Sequence, residues 1–120
     1  MRFRRAILAL PIVLVLAFVV SGQTEPKAFK FAEFGPMSQA GVKQKMDSFL
    51  KELTKNVSAQ GYIINYGNPK AIAARRRQIT NSMTFLYLDP TRITFVDGPA
   101  EKQVRTALWI VPPGTNPPTP

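Results

Sequence analysis

Asn68, Pro69 and the run Arg75, Arg76, Arg77 are the residues whose types and spacing could do chemistry in this chain. A short apolar stretch, GYIINYG (residues 61 to 67), ends at Asn68-Pro69, and a helical pattern carrying three consecutive arginines follows. Asparagine is a good N-cap and proline is favoured at the first helical position, so the junction reads as strand-to-helix. The first N–H groups of a helix have no intrahelical acceptor and carry partial positive charge, which suits an anion. An arginine beside them could grip a carboxylate with two parallel hydrogen bonds. Asn68, Arg75 and Arg76 are therefore the candidate ligand-binding residues.

The three arginines are not equivalent. With Ile72 at zero and 100° per residue, Ile79 and Met83 fall within ~20° of it and Leu86 ~40° to one side. Arg77 points to ~140°, into solvent, Arg76 to ~40°, at the rim of the apolar stripe, and Arg75 to about −60°, flanking the other side. A guanidinium at such a rim either snorkels past it or finds an acceptor. That acceptor is an anion at the end of the strand, or an acid of the same fold such as Asp97 or Glu101.

Other chemistries are poorly provided for. The 120-residue chain has no cysteine and no histidine. Thiol nucleophiles, His-based triads and zinc sites of the usual type are thereby removed, and nothing places a serine beside a base. The expectation is a non-enzymatic protein with no metal and no cofactor.

The elements that must position the junction follow from periodicity. AFKFAEF (28 to 34) alternates as a strand does. Ser38 is a helix cap, and Val42, Met46, Phe49, Leu50, Leu53 and Val57 then form one stripe of an amphipathic helix over 39 to 57. The strand at 61 to 67 and a second helix from Pro69 to Leu86 follow, with Ile72, Ile79, Met83 and Leu86 inward. A turn at Asp89-Pro90 leads to a strand through Ile93, Phe95 and Val96. After a turn at Asp97-Gly98-Pro99, VRTALWIVP is apolar on both faces towards its end, as a central strand would be. The order β-α-β-α-β-β predicts an α/β (α+β) two-layer sandwich, a mixed four-stranded sheet with two helices on one face. Residues 112 to 120, PPGTNPPTP, read as a proline-rich, disordered tail.

MRFRR followed by an uncharged apolar run, Ala6 to Val20, and then SGQTEP has the form of a secretory signal, with a cut between Gly22 and Gln23. The alternative is a retained anchor, although the run reaches only ~22 Å against a ~30 Å hydrocarbon core. Residues 1 to 22 are thus the leader and 23 to 111 the domain, exported to the periplasm or beyond. The chain carries 16 Lys and Arg against 7 Asp and Glu, and setting aside Arg2, Arg4 and Arg5 leaves 13 against 7. Such a balance favours acidic partners, and export makes nucleic acid the least suited of them. A membrane enters only through residues 6 to 20, if the leader is retained.

The element order, with FKFAEF, GYIINYGN, the helix around ARRRQI, DPTRITFVDG and QVRTALWIV, resembles the OmpA-like peptidoglycan-binding domain over residues 28 to 111. The resemblance implies that fold and a wall-binding pair, an aspartate after the second strand and an arginine on the next helix. Here the aspartate's position holds Asn68, the arginine falls at Arg76 or Arg77, and the connection between them is several residues shorter. Asn68 brings no charge for an ammonium group. The implied function is an exported, non-catalytic module that binds peptidoglycan or another anionic envelope polymer. The alternative is a structural or protein-interaction module that has lost the wall site.

Overall fold

A computed structural model of the chain describes residues 26–83 and 89–120. Six main elements follow in order: β1 (Phe29–Phe34), α1 (Gln39–Lys55), β2 (Gln60–Tyr66), α2 (Pro69–Met83), β3 (Ile93–Asp97) and β4 (Arg105–Val111). A 3-10 turn, Pro90–Arg92, leads into β3. The sheet order is β1-β4-β2-β3, with β4 antiparallel to both β1 and β2, and β3 parallel to β2. This is the mixed four-stranded sheet and α+β element order that the periodicities predict. β4 is central, which explains its apolar character on both faces.

Strand alternation divides the side chains between two clusters. Ile63, Leu108, Ile110 and Phe34 pack with Val42, Met46, Phe49, Leu53 and Ile79 of the helices. Ile64, Tyr66 and Ala107 face the other way, with Val96 and Trp109 against them. Phe31, at a register shift in β1 between Lys30 and Ala32, still reaches the helical side, where its ring meets Phe49 at 5.8 Å.

The helix ends differ from expectation in one instructive place. Ser38 caps α1 through Oγ, which accepts from Gly41 N at 3.1 Å. The other end comes at Lys55, not at residue 57, because Asn56 turns the chain and its Nδ2 donates to Glu52 O. Val57, expected on the buried stripe, is instead 76% exposed. The carboxyl end is closed from outside the helix by Arg92, whose Nη2 donates to Leu53 O, Asn56 O and Ala59 O at 2.8–2.9 Å. A helix terminus leaves carbonyls without intrahelical donors, and a cation is the group that suits them.

Ile72 and Ile79 of α2 are buried and Met83 packs against the core at partial exposure. Leu86 and the expected last turn of this helix lie outside the described residues. The tail opens with a turn in which Thr115 donates from both N and Oγ1 to Pro112 O.

Candidate functional site

At the end of β2 the chain turns through Gly67, whose φ of +144° is open to glycine and strained for other residues. Asn68 then caps α2. Its Oδ1 accepts from Ala71 N at 2.8 Å and its carbonyl accepts from Ile72 N at 2.9 Å. Pro69 has no N–H to offer. Two of the first donors of the helix are therefore already engaged by Asn68 itself.

Arg75, expected to flank the buried stripe, lies beneath it. It is 2% exposed and is the largest of the fully buried side chains. Its Nη2 donates to Gly35 O at 2.6 Å, Nη1 to Thr106 Oγ1 at 2.7 Å and Nε to Gln78 Oε1 at 3.0 Å. The guanidinium also lies over the Phe34 ring, 4.9 Å from its centroid. Each of these hydrogen-bond acceptors is neutral, and burial lowers the pKa of the group from its usual value. Thr106 passes the network on by donating to Asn65 Oδ1 at 2.6 Å, and the Asn65 Nδ2 is buried without a partner among the described residues. Arg75 thus ties α2 from inside to β4 and to the residue that follows β1. The wheel angle could not reveal this, because an inward guanidinium requires acceptors on strands far away in sequence.

Arg76 faces the sheet edge. Its Nη1 lies 3.8 Å from Asp97 Oδ1 and its guanidinium sits 4.7 Å from the Phe95 ring centroid. Asp97 is one of the two internal acids that the sequence offers as acceptors. Both side chains are about half exposed, so the pair is weak. Arg77 is exposed, as its angle predicts. The structure therefore gives the three candidate residues separate roles. Asn68 is a cap, Arg75 a buried tie and Arg76 an edge contact.

A second constellation, not singled out by the sequence, occupies the same end of the sheet. Arg105 bridges Glu33 and Glu101, its Nη2 donating to Glu101 Oε2 at 2.6 Å and its Nη1 to Glu33 Oε1. The bonds to Arg105 hold both carboxyl groups below their ordinary pKa, and the two carboxylates raise that of Arg105. The Arg105 guanidinium lies 3.7 Å from the Tyr66 ring centroid. Gly98 presses on that ring, since a Cβ there would come within 2.5 Å of Tyr66 Cδ2. A cleft of about 600 Å³ opens here, lined by Glu33, Gly35, Glu101, Lys102 and Arg105 among others. The signal available in sequence was Glu101 four residues before Arg105. Glu33 could be joined to them only by knowing that β1 pairs with β4. Among the described residues, no group of acids is placed to hold a metal ion.

Comparison with protein-family models, with curated proteins and with solved structures found no match.

Proposed function

We propose that the chain is a non-catalytic, exported module of the cell envelope with an OmpA-like arrangement. In this reading it serves as a structural or protein-interaction domain rather than as a binder of the wall. The observation that supports this reading is the inward guanidinium of Arg75, engaged by Gly35, Thr106 and Gln78. With Asn68 engaged as a cap, the junction offers an incoming anion little that the fold has not already taken. The basic surplus then serves attraction and solubility, not a shaped site.

A second reading is favoured by the 3.8 Å separation of Arg76 and Asp97 at half exposure. An arginine so loosely paired can exchange its partner for an anionic polymer, including peptidoglycan. Sedimentation with purified peptidoglycan separates the two. The first reading expects wild type, Arg76→Ala and Arg77→Ala to remain together in the supernatant. Under the second, Arg76→Ala loses more than ~10-fold in binding while Arg77→Ala loses little, as for one charge-assisted hydrogen bond. Asn68→Asp keeps the cap and adds the carboxylate implied by the OmpA-like resemblance. Wall binding gained by that change alone would mark a decayed wall site on an OmpA-like frame.

A further inference from the structure

Phe29 and Val57 are the exposed large hydrophobic residues among those described, at 41% and 76%. The sheet register places them at one end of the molecule. Phe29 pairs with Ile110, Ile110 pairs with Gly61, and Val57 lies in the turn that enters β2 at Gln60. Arg92 holds that turn against the start of β3 by bonds to Asn56 O and Ala59 O. Lys27, Lys51 and Lys55 are exposed at or near the same end, Lys55 with its side chain 74% accessible and only a 4.0 Å approach to Glu52. Among the described residues the acids here are Glu52 and Asp89, and Asp89 is engaged by Thr91 N and Oγ1, while Glu25 precedes Lys27 in the sequence. Arg92 engages the carbonyls at the carboxyl end of α1, which reduces the negative potential a helix end would otherwise present.

The chain enters the fold at this same end. Between the apolar run that finishes at Val20 and the first residue of β1 lie residues 21 to 28, which span at most ~28 Å when fully extended. If the run Ala6 to Val20 lies in a bilayer, the Phe29–Val57 end is held within reach of its surface. The seven-residue β4 puts the loops around Arg105 a further ~23 Å away. We infer that this end of the domain rests on the anionic face of the bilayer, with Phe29 and Val57 at the interface and Lys27, Lys51 and Lys55 over the lipid headgroups. Interfacial contact of this kind draws on apolar area together with cationic side chains. Each lysine near an anionic surface contributes about fivefold to association. The inference rests on the exported-module reading with the leader retained as an anchor, the alternative to a cut after Gly22.

The absence of cysteine permits clean single-site labelling. Full-length protein carrying Val57→Cys or Lys102→Cys, each labelled with an environment-sensitive fluorophore, is reconstituted with vesicles of phosphatidylglycerol and phosphatidylcholine. Flotation reports whether the chain is held by the vesicles, and acrylamide quenching reports which end faces them. The expected result is flotation of both, a blue shift and about threefold or greater protection at position 57, and no change at 102. Protection at 57 should be lost when Lys27, Lys51 and Lys55 are all changed to Glu, or when the vesicles are phosphatidylcholine alone. Flotation with equal quenching at both positions would overturn the contact while leaving the apolar run as an anchor. Failure of either protein to float would overturn both.

Discussion

The two ends of the sheet treat arginine in opposite ways. At the end that carries the chain entry, Arg92 reaches outward from the 3-10 turn and closes α1 by donating to three carbonyls. It solves a local problem, the unpaired carbonyls of a helix terminus, and apolar side chains beside it stay exposed. At the other end Arg75 and Arg105 are drawn into networks that join elements. Arg75 links three elements through neutral acceptors, and Arg105 links β1 to the loop before β4 through carboxylates. Polar density in a protein is thus not by itself a site. At the polar-rich end Arg75 and Arg105 are taken up by the fold, and the plainer end is the one with exposed apolar surface.

The largest effect that tests this contrast is Arg75→Ala. It leaves Gly35 O, Thr106 Oγ1 and Gln78 Oε1 without their donor and opens a cavity, so stability should fall by about 3–5 kcal/mol. Arg75→Met should recover part of that loss, since the acceptors around the buried charge are neutral and a methionine can fill the volume. Chemical denaturation measures both, and a thermally silent Arg75→Ala would remove the tie from the account.

Arg92→Ala should cost less, about 1.5–3 kcal/mol, because water can reach part of the released helix end. Its signature is local. Amide exchange should rise over the last turn of α1 and the 56–59 turn while the Arg75 network stays protected. Equal loss of protection at both ends would mean that they are not independent.

The smallest effect is electrostatic. Glu33 and Glu101 have lowered native pKa values, so their contribution is complete above the ordinary carboxyl value of 4.5 and is lost as pH falls through the native values. Glu33→Gln should lower stability slightly at neutral pH, by the small amount a solvent-screened pair supplies, and converge with wild type at low pH, so that the acid side of the profile is flatter. A pH series of denaturation midpoints reads this directly.

How much of this was legible in the sequence differs between fold and site. The fold was legible because periodicities of 2 and 3.6 are local: the strand at 28 to 34, the caps Ser38 and Asn68 and the stripe of Val42, Met46, Phe49, Leu50 and Leu53 are all found as expected. Val57 departs from the expected stripe because the pattern extrapolates past its helix until a cap ends it, and Asn56 with Arg92 ends it here. The candidate site was legible only in part. Angles on a wheel rank Arg77 as exposed and Arg76 as marginal, which agrees with its contact to Asp97. They could not assign Arg75, whose acceptors Gly35 and Thr106 are 40 and 31 residues away in sequence. The Glu33–Arg105 pair, 72 residues apart, was invisible for the same reason.

The central claim is that the guanidinium of Arg75 belongs to the fold and not to a ligand. Nitrogen-15 NMR of the arginine Nε–H groups, recorded with and without soluble peptidoglycan fragments, tests it most directly. The account predicts a slowly exchanging Arg75 Nε–H, held by Gln78 Oε1, whose shift is unchanged by the fragments, beside a rapidly exchanging Arg77. A fast-exchanging Arg75 resonance that moves in a saturable way as fragments are added would contradict it.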